Sequence, residues 1–234
     1  MSLFITFEGV EGSGKTTQIR RLKSHLSKKG VPCAVTREPG GCPISEEVRK
    51  ILLDPNHREI APLTELLLYE AARAQHVEEV IAPLLKKGRV VISDRFSDAS
   101  IAYQGHGRKV NLRLIDTLNR VSSRNTKPDV TILLDCPPRV GLKRALQRNQ
   151  TLRQEKEGRF ELEEVRFHNR VRRGYLAVAR KEPRRFKIID TRQGEEKVFQ
   201  KVCILIDKLL GFKGSRVQGV QKPKRQGFGN QGVK

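Results

Sequence analysis

Gly9-Val10-Glu11-Gly12-Ser13-Gly14-Lys15-Thr16, followed by Thr17, is the stretch whose reading decides the fold. It satisfies G-x-x-x-x-G-K-[ST], follows the apolar run Leu3-Phe4-Ile5-Thr6-Phe7, and opens a helix-like segment near Lys15. That strand–loop–helix setting separates a phosphate-cradling loop from a glycine-rich turn that binds nothing. The glycines let the backbone curl, so that several N–H groups converge on one anion. The helix N-terminus adds its dipole, Lys15 adds a point charge, and the Thr16 hydroxyl suits Mg²⁺. Residues 9–17 are therefore expected to bind a nucleoside triphosphate, with Lys15 as a candidate catalytic cation and Thr16 as a metal ligand.

The 234 residues fit one large domain, or one domain with appendages. No apolar run approaches the ~18 residues of a membrane span. A strand-like run beginning at Leu3 leaves no space for a signal peptide, so a cytoplasmic location is expected. Cys33, Cys42, Cys136 and Cys203 have no C-x-x-C spacing and read as four reduced thiols, with no zinc cluster. The net charge of +21 suits either nucleic acid or an enzyme that handles phosphates. Residues 212–234 carry six Lys/Arg and no acid, which leaves +15 spread along the rest. Aromatic residues make up 5% of the chain and do not interleave with basic ones, so no stacking platform for single strands is indicated. The charge points to anionic small substrates, and nucleic acid is expected at most as a weak, non-specific contact of the tail.

Apolar periodicity predicts alternating helices and strands. Residues 17–29 carry Ile19, Leu22 and Leu26 at helical spacing and stop at Gly30. Residues 33–36 read as a buried strand running into Arg37-Glu38-Pro39-Gly40-Gly41, where the carboxyl end of a strand should lie. Ligands of open α/β sheets bind at that end, although Arg37 could equally sit in a solvated turn. A short helix is predicted over 44–53 and a long one over 63–87, kinked or broken at Pro83. Tyr69 and Arg73 share one face of it, with a core aromatic beside an exposed arginine as the default reading.

Residues 89–93 form a third strand that ends in Asp94-Arg95-Phe96. An acid there can hold Mg²⁺ or its water, and the arginine can grip an oxyanion. Residues 98–107 look more like a pocket wall than core. Further helices are predicted over 111–121, 140–147, 161–180 and 197–210, and strands over 130–134 and 186–190. Val165, Val171, Tyr175 and Val178 are candidates for the buried stripe of the third of these helices, and Val198, Val202, Leu205 and Leu209 for that of the fourth. Residues 148–160, charged and aperiodic, fit a lid that closes over phosphates or a solvated loop. Residues 212–234 cannot bury a core and are expected to be disordered. Five apolar strands alternating with helices predict an α/β fold with a parallel five-stranded sheet in three layers, residues 1–211 forming a single domain.

A phosphate loop, a charged lid-like segment and arginines at two further strand ends fit γ-phosphoryl transfer to a phosphorylated acceptor, in which positioning and neutralisation do most of the work. The guanine-reading N-K-x-D motif of GTPase switches is absent. The order of motifs is more specific still. Residues 7–17 are followed by Thr36-Arg37-Glu38-Pro39-Gly40-Gly41, Arg73-Ala74-Gln75-His76 and Asp94-Arg95-Phe96, then by Ala102-Tyr103-Gln104-Gly105, and by residues 167–172 (Phe-His-Asn-Arg-Val-Arg) with Gly174-Tyr175. Over residues 3–210 the chain resembles the bacterial form of the thymidylate kinase family, nucleoside-monophosphate kinases of the P-loop class that make dTDP from dTMP and ATP with Mg²⁺ for dTTP biosynthesis.

The resemblance implies roles for individual residues. Glu11 would accept a hydrogen bond from the deoxyribose 3′-OH and take part in catalysis. Arg37 and Arg95 would hold the monophosphate, with Arg95 also counted as catalytic. Tyr69 stands where the family usually stacks a phenylalanine on thymine, an interaction worth ~1–3 kcal/mol per base. Arg73 would donate to the base carbonyl, Ser100 and Gln104 would line the same pocket, and Tyr103 would crowd the 2′ position. Asp94 joins Thr16 as a metal candidate, and Arg144 and the turn at 191–194 would lie beside adenine.

Glu11 is the only charged residue between Gly9 and Gly14, and no arginine is present there. This matches the family type whose catalytic arginine comes from the lid. Arg148, Arg153 and Arg159 are the candidates, and Arg153 is the choice. A homodimer is implied as well. Other readings are a kinase for another pyrimidine monophosphate or an ATP-binding nucleic-acid-binding protein.

Overall fold

The computed structural model describes residues 2–152 and 158–212, with the side chains of 148–152 left aside. Five parallel strands form one sheet: β1 (Leu3–Glu8), β2 (Cys33–Arg37), β3 (Val90–Asp94), β4 (Val130–Asp135) and β5 (Phe186–Asp190). Their spatial order is β2-β3-β1-β4-β5, so the chain runs out to one edge, returns through β3, and crosses β1 to reach β4. The phosphate loop follows the central strand at this crossing, where open α/β sheets form their ligand crevice.

Alternation along β1 explains the layers. Leu3, Ile5 and Phe7 point to one face and join Ile19, Leu22 and Leu26 of α1 (Lys15–Lys28) and Val198, Val202 and Ile206 of α9 (Glu195–Leu209) in one core. Phe4, Thr6 and Glu8 point to the other face. There Phe4 packs edge-on against Phe96 with ring centroids 5.0 Å apart. Glu8 meets Tyr175 of α8 (Val165–Lys181).

The remaining helices are α2 (Pro43–Leu53), α3 (Pro62–His76), α4 (Ala82–Lys86), α5 (Ser97–Ser100), α6 (Leu112–Ser122) and α7 (Pro138–Leu152). The three-layer α/β architecture is as expected from sequence, with differences that have physical causes. The 33–37 strand is an edge strand rather than a buried one, and Val35 is 41% exposed. The long helix divides into α3, a π-helical turn over Val77–Ile81, and α4. Pro83 has no N–H to donate to the carbonyl four residues back. The preceding turn widens, and the Ala82 N–H bonds Val77 instead.

Residues 98–107 are helical, α5 continuing into a π-helical turn over Ile101–Gly107, and they supply Ala99, Ser100, Tyr103 and Gln104 to the wall of a cleft. The helix at α7 runs to Leu152, beyond the expected lid start at 148, and α8 begins at Val165 rather than 161. On α9, Leu209 is exposed, and Cys203 and Ile206 share the buried stripe with Val198 and Val202.

Candidate active site

The phosphate loop is shaped by its glycines. Gly9, Gly12 and Gly14 have φ of 140°, 64° and 94°, values that side chains disfavour. A Cβ at Gly12 would lie 2.0 Å from the Gly141 carbonyl oxygen, so the loop is seated directly on the first turns of α7. Gly14 caps α1 in the left-handed conformation, which aims the helix N-terminus into the loop. The Lys15 ammonium donates to the carbonyls of Gly9 and Val10, each at 3.1 Å. Burial and the nearby Arg95 push its pKa down to about 8. The Thr16 hydroxyl donates to Asp94 Oδ2 at 3.2 Å, which brings two oxygens that suit a hard cation together between the first turn of α1 and the end of β3.

The Glu11 side chain leaves the loop and meets residues of β3's end, the 101–107 turn and α8. Its Oε1 accepts from the Tyr103 hydroxyl at 2.5 Å and from Arg95 Nη2 at 3.0 Å. Its Oε2 is buried without a well-aligned partner, although His168 Nδ1 is 3.1 Å away. Burial opposes its ionisation, but His168, Arg95 and Lys15 outweigh it and hold the carboxyl well below the usual range. Arg95 sits at φ 72°, a conformation that needs support. Its own N–H bonds Phe7, the next N–H (Phe96) bonds Glu8 Oε1, and Ser93 Oγ bonds its carbonyl. Its Nη1 also donates to Gly9 O and to the Tyr175 hydroxyl, and its guanidinium lies 4.9 Å from the Tyr103 ring centroid. Glu8 is pushed up to about 8 by burial and by Asp98.

The structure brings most of the expected site residues to one cleft. Its lining includes Glu11 through Thr17, Arg37, Asp94 and Arg95, with Tyr69, Ser100, Tyr103 and Gln104 across from them. Arg144, Thr191 and Gly194 line the same cleft. Arg37 is half-exposed and paired with Glu46 at 2.9 Å. Arg73 reverses its default reading, and Tyr69 departs from it in part. Tyr69 is half-buried at the cleft, whereas Arg73 is 1% exposed, bonded to Glu38, Glu70, Asn119 and Ser100, and lies behind the lining.

The three lid arginines divide. Arg153 lies outside the described residues, as does the side chain of Arg148. Arg159 is buried, with its Nε donating to Leu52 O and its Nη2 2.8 Å from Glu65 Oε2, a carboxylate that also holds Gln104 and Arg108.

Glu8, Glu38 and His168 stand in the motifs quoted from sequence but carry no assigned role there, and Glu65 and Glu70 were not singled out. Sequence spacing could have revealed His168: it stands three residues before Val171 and seven before Tyr175, on the stripe already read as buried.

The family model described as thymidylate kinase matches residues 7–202. A thymidylate kinase of Geotalea uraniireducens is 56% identical over 194 residues, covering 83% of this chain and 91% of that protein. One from Syntrophotalea carbinolica is 48% identical over 214 residues, covering 92% and 99%. The crystal structure of thymidylate kinase from Ehrlichia chaffeensis superposes with a TM-score of 0.70 at 35% identity, covering 88% of this chain and 98% of that one. A phosphate loop seated on a parallel sheet, a cleft that reaches from it to a wall of buried polar side chains, and these likenesses lead to one assignment: the chain belongs to the thymidylate kinase family.

Proposed function

We propose that this chain transfers the γ-phosphoryl group of ATP to the 5′-phosphate of dTMP, giving dTDP and ADP, as a step in dTTP supply. The observation that carries this reading is the continuity of the cleft. At about 1320 Å³ it exceeds the ~300–1,000 Å³ of an ordinary ligand pocket, and it joins the phosphate loop to a separate wall of side chains. Two nucleotides can therefore meet end to end, with the transferring group between Lys15 and Arg95.

A phosphate oxygen of dTMP attacks the γ-phosphorus as the bond to the bridging oxygen of ADP breaks. The attacking phosphate oxygen of dTMP is already ionised at neutral pH, so no general base is needed. The site accordingly offers cations: the loop N–H groups and Lys15 hold the donor, and Arg37 and Arg95 hold the acceptor phosphate in line. Glu11, which lines the cleft, would accept the 3′-OH, while Tyr69 stacks on the base and Ser100 and Gln104 face its edge. The chemistry of the Thr16–Asp94 pair fits Mg²⁺, which keeps most of its ligands as waters and phosphate oxygens. Bound with ATP, Mg²⁺ would neutralise charge on the phosphates.

Arg159 is engaged by Leu52 and Glu65, which leaves Arg153 as the choice for the lid cation, with Arg148 the other candidate. Arg153→Ala should lower kcat by about 10³-fold or more, the range of an arginine finger, with little change in the KM for dTMP. An unchanged kcat would remove it from the mechanism.

Exposed Ile44, Ile51, Leu63, Leu67 and Val121 on the neighbouring helices α2, α3 and α6 support a homodimer, to be tested by sedimentation. Among the described residues no helix is long and apolar enough to cross a membrane, and a cytoplasmic site of action fits that. The activity itself is tested by coupled detection of ADP with Mg²⁺. ADP formation should depend on dTMP, and formation without dTMP dependence would overturn the reading.

A further inference from the structure

Tyr175 is 1% exposed on α8 and does not line the cleft, yet its hydroxyl touches a residue that does. Arg95 Nη1 donates to that hydroxyl oxygen at 3.1 Å and to Gly9 O at 2.9 Å. The hydroxyl in turn donates to Glu8 Oε2 at 2.7 Å, and Glu8 Oε1 accepts from the Phe96 N–H at 2.8 Å. Phe96 follows Arg95 in the chain. The backbone just beyond Arg95 and the end of its side chain are therefore fastened to the same carboxyl group.

Gly174 makes room for this contact. A Cβ there would lie 2.9 Å from three side-chain atoms of His106, so its absence lets α8 sit close against the 101–107 turn and brings the next residue within reach of Arg95. The Tyr175 ring then packs edge-on against Tyr103, with centroids 6.1 Å apart.

A guanidinium carries two N–H groups on each Nη and one on Nε, all in one plane. Both on Nη1 are taken, and one on Nη2 goes to Glu11 Oε1 at 3.0 Å. Among the described residues, no hydrogen bond is made by Arg95 Nε. The donors left over sit on Nε and Nη2, which share one edge of the group. A pair of N–H groups on one edge matches two oxygens of a phosphate.

We infer that Tyr175, braced by Glu8, is a positioning residue that turns the Arg95 guanidinium so that its Nε/Nη2 edge meets the acceptor phosphate. The identity of that acceptor rests on the dTMP reading. Without the hydroxyl, Arg95 keeps its charge but loses one of the three contacts that set its plane. Because Tyr175 lies outside the cleft lining, the loss should be felt at the phosphate and not at the nucleoside.

The test titrates the full chain with dTMP and with thymidine, the same nucleoside without its phosphate, by calorimetry. The stoichiometry refers each Kd to the folded protein. Tyr175→Phe keeps the ring and should weaken dTMP about tenfold, as for a lost hydrogen bond to a charged group, while the Kd for thymidine stays within about twofold. Arg95→Lys combined with Tyr175→Phe should bind dTMP no worse than Arg95→Lys alone, since lysine has no planar edge to orient. Equal losses for dTMP and thymidine, or additive losses in the double variant, would mean that Tyr175 supports only the fold and would overturn the inference. An unchanged Kd for dTMP would overturn it too. A second arm leaves Tyr175 in place. In protein labelled with ¹⁵N-arginine, the Arg95 Nε signal, assigned by its loss in Arg95→Lys, should shift on adding dTMP and not on adding thymidine. No shift with dTMP overturns the inference. Failure of the dTMP reading looks different: the unmodified chain would bind no dTMP, and the inference would fall with it.

Discussion

Between Gly9 and Thr16 the cleft is lined mainly by backbone. Three glycines at positive φ turn the chain, a helix N-terminus faces the loop, and one ammonium folds over it. Across the cleft the recognition is carried by side chains. Arg95, Tyr103, Ser100 and Gln104 are each held by a buried carboxylate: Glu11 for the first two, Glu70 for Ser100 and Glu65 for Gln104. The difference follows from what each side binds. A polyphosphate is the same in every nucleotide and can be gripped by N–H groups that any sequence supplies. A particular acceptor must be distinguished by functional groups, and those hold a fixed geometry only when their own hydrogen bonds are made elsewhere.

Substitutions on the two sides should therefore fail differently. The largest effect belongs to the loop. Gly12→Ala combines a φ of 64° with a Cβ 2.0 Å from the Gly141 carbonyl, and backbone cannot move aside as a side chain can. We expect a loss of about 3 kcal/mol or more in stability, together with ATP binding too weak to saturate, read by thermal unfolding and by titration with ATP. On the acceptor side, Glu38→Gln removes the charge that faces both Arg73 and His76 in a fully buried setting. Breaking such a pair costs about 3–5 kcal/mol when one partner is lost, so its Tm should fall, while ATP binding by the protein that remains folded should be retained.

These carboxylates were the part of the site least legible in the sequence. The loop was readable because its constraint is local: eight consecutive residues specify strand, turn and helix N-terminus. The strands were readable as apolar runs, and the sheet followed from their alternation with helices. The burial of Arg73, by contrast, depends on Glu38 beyond β2, Ser100 of α5 and Asn119 of α6, as well as on Glu70 of its own helix. No periodicity in one helix reports such a meeting, and the default for an arginine four residues from an aromatic is exposure. The π-helical turns at 77–81 and 101–107 were missed for a similar reason, since their geometry answers to Pro83 and to packing rather than to a local pattern. The buried stripe on α8 is legible from Val165, Val171, Tyr175 and Val178, whereas His168, quoted in the 167–172 motif, is given no place on that face because it is polar.

Where the two sides meet, Glu8 gives a pH signature. Burial and Asp98 raise its pKa from 4.5 to about 8, so between those values the folded protein holds a proton that the unfolded chain has released. The stability that Glu8 contributes is therefore present at low pH and is lost as pH rises from 4.5 through about 8. Carboxylates held low, such as Glu11 and Glu38, work in the opposite sense, contributing stability that is lost on acidification. The comparison of unmodified protein with Glu8→Gln isolates the first effect: the difference in stability should shift against the unmodified protein as pH rises across this window. A flat difference would contradict the buried, protonated state of Glu8.

The smallest effect is expected at Tyr69. Among the described residues no hydrogen bond is made by its hydroxyl, and its ring is tilted against Phe160 with centroids 6.5 Å apart. Tyr69→Phe should change the KM for dTMP by less than about threefold, within the ~0.5 kcal/mol typical of changes that break no specific feature.

The contrast between a donor site built from backbone and an acceptor site built from side chains is tested most directly by an acceptor panel. The measurement is kcat/KM for dTMP, dUMP, UMP and dCMP at saturating ATP and Mg²⁺. The account predicts dTMP as the preferred acceptor, with UMP and dCMP lower by about 10²-fold or more because each leaves a buried polar group of the pocket unpaired or crowded. Equal use of these acceptors, or preference for UMP or dUMP over dTMP, would contradict it.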